Sequence, residues 1–135
     1  MFLPSSPAHL VDEWIPALEG VEAKLQAGAR VADVGGGLPL SHGFPNSRVD
    51  NFDRGEAGSF AGAYYDLVAS FDCLREEEDP VAVARHVRGS LAGDGTWLVV
   101  DAGGPRITYA IRAGGFTNVR VVADTPLHLV LEARP

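Results

Sequence analysis

Residues 30–37, RVADVGGG, constrain the fold more than any other segment of the chain. Arg30 to Val34 is a short, mostly apolar run that begins just after the helix stop Ala27-Gly28 and leads directly into Gly35, Gly36 and Gly37. Glycines at the end of a strand let the backbone turn sharply and come close to a ligand or a neighbouring element. In an open α/β sheet the carboxyl ends of the strands are where ligands bind. The segment therefore predicts a strand of such a sheet, with Asp33 near its exit.

The rest of the chain alternates in the same way. Leu10, Trp14, Ala17, Leu18, Val21 and Leu25 recur at three- and four-residue intervals, predicting a helix over 7–27 that Pro16 and Gly20 kink or divide. SRVDNFD (47–53) reads as a second strand ending in an acid, and YDLVASF (65–71) as a third, its nearly continuous apolar character suiting a strand covered on both faces. Asp79-Pro80 opens a helix that Gly93-Asp94-Gly95 closes. Residues 96–101 follow as a fourth strand, and 107–113 as a short helix ended by Gly114-Gly115. Residues 118–122 and 127–132 flank Ala-Asp-Thr-Pro as an antiparallel hairpin. The expected architecture is α/β: one domain over 1–135, with a mostly parallel sheet and a C-terminal antiparallel hairpin.

Composition bounds the function. At 135 residues the chain suits a single core, and no apolar run approaches the length of a membrane span. A net charge of −7 without a basic stripe argues against nucleic acid as a partner. The single cysteine, Cys73, excludes an intrachain disulfide or a cysteine-rich metal site and fits a cytoplasmic setting. The opening MFLPSSPAHLVDEW lacks a basic region followed by a long apolar stretch, so no secretory signal is expected.

AGARVADVGGG, the SRVDNFD strand, YDLVASFDCL, DPVAVARHVRGSLAGDGTWLVVD and the AGGF…ADTPLHLVLEARP ending follow one another in an order that resembles class I S-adenosylmethionine (SAM)-dependent methyltransferases of the bacterial small-molecule type. The resemblance covers nearly all of the chain and implies a Rossmann-like fold in a reduced form. It implies that Asp33, Gly35, Gly36 and Gly37 lie beside the methionine part of SAM. Asp53 would hold the ribose hydroxyls, and Phe71 and Asp72 would line the reaction pocket.

The chain also departs from that pattern. Pro39 stands where the glycine motif has its last glycine, and the following helix is compressed into Leu40 to Gly43. Residues 54–64 replace a helix, a strand and the acid that reads adenine, so the adenine subsite is missing. Only residues 102–106 stand where a substrate-covering segment is usual. Arg75 occupies a position where related sequences often carry a histidine, and a guanidinium cannot serve as a general base.

Other constellations are weaker. His9, His42, His86 and His128 share no metal-ligand spacing, so no metal is expected. Ser41-His42 lies outside any nucleophile elbow. Glu76 to Asp79 reads as a solvated helix start, Trp14 and Trp97 as packing anchors, and Cys73 as a buried, inert thiol. Two functional readings stay open: methyl transfer from SAM to a small-molecule acceptor, or a non-methylating descendant used as a scaffold or binding module. Reuse of the pocket for another shape-controlled reaction is a minor third. The shortened connections at 38–46 and 54–64 further predict uncovered sheet surface around Leu38, Leu40, Phe44 and Phe60, and hence a homodimer.

Overall fold

The computed structural model describes residues 10–36, 39–102 and 104–135. The start of the expected N-terminal helix with His9, the third glycine Gly37, Leu38 and Gly103 lie outside the described residues.

Six strands form one sheet: β1 (Arg30–Val34), β2 (Arg48–Phe52), β3 (Tyr65–Phe71), β4 (Leu91–Asp101), β5 (Asn118–Asp124) and β6 (Leu129–Arg134). Their order across the sheet is β2-β1-β3-β4-β6-β5. The first four strands are mutually parallel, whereas β6 pairs antiparallel with both β4 and β5. This is the expected α/β architecture with its closing hairpin.

The N-terminal region begins as a wide π-helical turn, Leu10–Trp14, and passes into one α turn, α1 (Ile15–Ala17). Leu18 is extended and Gly20 adopts φ +73°, so the chain breaks where the sequence predicts and restarts as α2 (Val21–Ala27). A further short helix, α3 (Pro39–Gly43), follows the glycine turn. Together these pieces lay Trp14, Ile15, Leu25, Leu40 and Phe44 over Val31, Leu67, Leu98 and Val130. On the opposite face α4 (Pro80–Ser90) and α5 (Pro105–Ala113) bring Val83, Val87, Ile107 and Ile111 against Val68, Trp97, Val99 and Leu131. Full burial of each large apolar side chain stabilises the fold by about 1.5–3 kcal/mol. Proline fixes the first turn of both long helices, and the Asp79 carboxylate accepts the Ala82 N–H at 3.0 Å.

Two expectations need correction. Pairing of β4 begins at Leu91, immediately after α4, rather than at Thr96. Gly93-Asp94-Gly95 is a bulge between the pairs Tyr65–Leu91 and Leu67–Thr96, and a side chain on Gly95 would come within 2.8 Å of the Tyr65 carbonyl. Phe44 and Phe60 are buried, as is Leu40, because the short connections fold back as covers for the sheet. Leu40, Phe44 and Phe60, three of the four side chains behind the homodimer expectation, are thus packed within the chain itself, and the fourth, Leu38, lies outside the described residues.

Glu132 fastens the hairpin to the N-terminal region. Its carboxylate is buried and accepts bonds from the Glu19 N–H at 2.9 Å, from Arg120 Nε at 2.9 Å and from Arg134 at 3.3 Å. Burial alone raises its pKa, but these donors outweigh burial and hold it below the ordinary carboxylate value.

The two long helices meet where α5 ends. A side chain on Gly114 would overlap the Ala84 methyl and stand 3.0 Å from the Ala84 carbonyl carbon, which is backbone and cannot swing aside. Gly114→Ala should therefore cost about 1–3 kcal/mol by overpacking, read as a lower urea midpoint with an unchanged slope.

Candidate functional site

Because β1 to β4 are parallel, their carboxyl ends share one edge of the sheet. Asp33, Asp53, Asp72 and Asp101 all lie at strand ends there. Asp33 is completely buried. Its Oδ1 accepts the Gly36 N–H at 2.8 Å, and its Oδ2 has no partner among the described residues. Desolvation pushes its pKa up to about 6, only partly opposed by the Gly36 bond.

The glycine turn is tight on both sides. Gly35 adopts φ +86° and donates its N–H to the Phe52 carbonyl at 2.8 Å, which joins the exits of β1 and β2. A Cβ at Gly35 would stand 2.6 Å from Arg54 Cγ and 3.2 Å from the Phe71 carbonyl oxygen. One at Gly36 would overlap the Phe71 ring and come within 2.6 Å of Asp33 Oδ1. The backbone thus needs glycine at 35 on its own account, whereas at 36 the space is closed by the Phe71 and Asp33 side chains.

Asp53 is exposed and caps the short 3-10 turn Arg54–Glu56, with its N–H donated to Glu56 Oε1 at 3.1 Å. A structural duty sits beside any ligand duty at this residue. Asp72 has its side-chain partner in the C-terminal hairpin. It adopts φ +57°, unusual for a residue with a side chain, and donates its N–H to the Val100 carbonyl at 2.8 Å. Its Oδ1 lies 2.9 Å from His128 Nε2. Asp101 is buried, accepts the Leu74 and Ala102 N–H groups at 2.8 and 3.0 Å, and has its pKa raised, chiefly by desolvation.

The edge therefore gathers Asp33, Gly35, Gly36 and Phe71 in mutual contact, with Asp53 one residue beyond Phe52. It also contains one side chain that the sequence weighs only as a metal ligand and sets aside. His128 reaches Asp72 across 56 positions of chain, and no local spacing announces the pair. Cys73, the next residue after Asp72, is buried with its pKa pushed up to about 12 by desolvation, so it stays a thiol and is a poor nucleophile.

Family models give no match to the chain, and neither do curated proteins. Solved structures do. The calicheamicin-biosynthesis methyltransferase CalO1, in its S-adenosylhomocysteine (SAH)-bound form, superposes with a TM-score of 0.72 at 17% identity, over 96% of this chain and 54% of its own. The fold is that of the SAM-dependent methyltransferases. Human N-acetylserotonin methyltransferase in complex with SAM gives a TM-score of 0.65 at 12% identity, over 90% of this chain and 50% of its own. A TehB-like SAM-dependent methyltransferase from Corynebacterium glutamicum gives 0.55 at 15% identity, over 79% and 80%. The chain spans about half the length of most of these methyltransferases, for example 52% and 50% of two others. Among the described residues, no helix is long and apolar enough to cross a membrane.

The buried acid makes a signed prediction. Because the folded-state pKa of Asp33 is raised above its ordinary value of 3.8 to about 6, the folded protein holds this proton more tightly than the unfolded chain does. Stability from this group is therefore present at low pH and lost as pH rises from about 4 to about 6, by on the order of 3 kcal/mol. Asp33→Asn keeps an acceptor for Gly36 and removes the charge. Its melting temperature should exceed that of the parent at pH 8 and match it at pH 4.

Proposed function

We propose that this chain binds SAM at the exits of β1 and β2 and serves methyl transfer to a small-molecule acceptor, in a cytoplasmic setting that its single buried cysteine suits. The observation that carries the reading is Asp33 Oδ2, a buried carboxylate oxygen without a donor beside a glycine turn. An unsatisfied buried acceptor costs about 1–3 kcal/mol, and a cationic N–H donor from a ligand would recover that cost. The amino-acid end of SAM carries an ammonium group of that kind. Asp53, exposed at the end of β2, suits the ribose hydroxyls, since a carboxylate accepts two hydroxyl protons.

The chemistry of Asp33 and Asp53 thus suits the methionine and ribose parts of the cofactor, with Asp33 reached once the Phe71 ring shifts. Bound there, SAM supplies an electrophilic methyl group on a sulfonium. The chain's own part is to neutralise the ammonium through Asp33, to orient the ribose through Asp53, and to exclude water with the Phe71 ring. Positioning of that kind accounts for a large share of the rate in reactions that need mainly in-line approach.

One observation favours the alternative of a non-methylating binding module. The Phe71 ring and the Arg54 stem already lie against Gly36 and Gly35, where a ligand would make its close approach. Both are side chains rather than backbone, so cofactor binding requires them to shift.

Calorimetric titration with SAM and with SAH separates the two readings. Saturable binding of both is expected, and Asp53→Ala should weaken it by about 1–3 kcal/mol with the circular dichroism spectrum unchanged. Absence of binding at millimolar SAH would leave the module reading in its place.

A further inference from the structure

Charge is not spread evenly over the two faces of the sheet. The layer formed by residues 10–27 carries Asp12, Glu13, Glu19 and Glu22 against one cation, Lys24, which pairs with Asp94 at 2.9 Å. The opposite layer, α4 and α5, contains no aspartate or glutamate, yet it carries Arg85, Arg88, Arg106 and Arg112. A chain with a net charge of −7 thus presents a basic surface on one side. Neither helix shows a run of cations along the sequence, so packing assembles the patch.

The contact at Gly114 and Gly115 does the assembling. A side chain on Gly114 would stand 3.1 Å from the Arg85 backbone nitrogen, and one on Gly115 would stand 2.7 Å from Arg88 Cδ, so the later halves of the two helices lie side by side. Arg88 Nε donates to the Gly115 carbonyl at 2.7 Å, and Arg112 donates to the Thr117 carbonyl at 3.4 Å. Those carbonyls hold the guanidiniums without neutralising them. Arg85, Arg88 and Arg112 are all exposed, and no carboxylate pairs with them among the described residues. Tyr109, three residues before Arg112 and hence its neighbour on the helix surface, is 71% exposed. Arginine and tyrosine carry much of the binding energy at protein interfaces.

Arg106 stands apart, its guanidinium bonded to the Leu74, Arg75 and Glu77 carbonyls beside the acidic run Glu76 to Asp79. That run bounds the patch. The 11 residues of α4 make about 16 Å of helix, so a long polyanion lying along it would meet like charge at its N-terminal end. A short anionic segment avoids that repulsion. The acids on the far face of the sheet are two layer spacings away, on the order of 20 Å, well beyond the Debye length of about 8 Å at physiological salt. They do not cancel the local field.

We propose that the surface of α4 and α5 around Arg85, Arg88, Tyr109 and Arg112 docks a short acidic segment of another protein. Its carboxylates bond the three guanidiniums, and its backbone lies across the Tyr109 ring. The proposal does not rest on cofactor binding, whose residues lie at the strand exits.

The test follows the fluorescence anisotropy of a labelled peptide of alternating glutamate and glycine, titrated with the full chain. Saturable binding is expected at low ionic strength and should weaken as salt rises, with none for the same peptide carrying glutamine in place of glutamate. Arg85→Glu should weaken binding about three- to ten-fold, because one exposed ion pair becomes a like-charge contact. Tyr109→Ser should weaken it several-fold without altering the salt dependence. Arg75→Glu makes the same change in net charge outside the patch and should leave affinity unchanged. All three positions are exposed, and their variants should keep the circular dichroism spectrum of the parent. Equal weakening by Arg75→Glu and Arg85→Glu would reduce the effect to overall charge and overturn the docking site, as would no binding at millimolar peptide. Tighter binding of oligothymidylate than of the peptide would assign the face to nucleic acid instead. Sedimentation of the free chain above the mass of one copy at low salt, reversed by Arg85→Glu, would make a second copy the occupant and overturn the proposal as well.

Discussion

Strands β1, β3 and β4 are covered on both faces, and that burial governs what their residues can be. Within them, side chains on either face meet a packed layer, so the interior positions are mostly Val, Leu, Ala and Trp, with Thr96 a buried hydroxyl in β4. The buried polar exception inside β3, Ser70, accepts the Trp97 Nε1–H at 2.9 Å. The buried carboxylates Asp33 and Asp101 sit at the exits of their strands, and parallel pairing collects those exits along one line. The acids there differ in what surrounds them: Asp101 is satisfied by two N–H groups, Asp72 is turned to a histidine, and Asp33 keeps one oxygen unmatched. A structural acid, an oriented pair and a vacant acceptor thus arise from one residue type through differences in local partners.

Much of this was legible in the residues themselves. The bounds of β1 and β3 follow from dense apolar runs with clear stops, and both strands appear as read, Arg30–Val34 and Tyr65–Phe71. The start of β4 is not legible because Gly93-Asp94-Gly95 carries a turn signature, and a bulge uses the same residues as a turn. The burial of Phe44 and Phe60 is hidden from the sequence for a different reason. Chain length between strands is a poor measure of covering power, because one buried aromatic on a short connection covers what a helical turn would. Phe60 does so with company, its ring packed edge-on against His86 at 4.5 Å between centroids and tilted against Phe52 at 5.3 Å.

The site was legible only where it is local. Asp33 and the glycines advertise themselves by order along the chain, as does Asp53 at the end of its strand. The Asp72–His128 pair depends on β6 returning antiparallel beside β4, which sets the β5–β6 turn next to the exit of β3. No pattern within a window of residues encodes that proximity. Asp53 shows the converse: its position suggested a ligand role at once, and its second employment as a cap for Arg54–Glu56 emerged only from the fold.

The two outermost strands have a bearing on colloidal behaviour. β2 and β5 each expose a row of backbone donors and acceptors on the side away from the sheet. On β2 the side chains of Arg48 and Asp50 form an ion pair at 3.5 Å, setting charge on a strand that would otherwise invite a stranger. On β5 the register slips between Val121 and Ala123, which bends the strand where a flat template would be most adhesive. One border is guarded by charge and the other by irregularity. Changes at these borders would consequently appear as clumping of an otherwise intact fold, a failure of sociability rather than of stability.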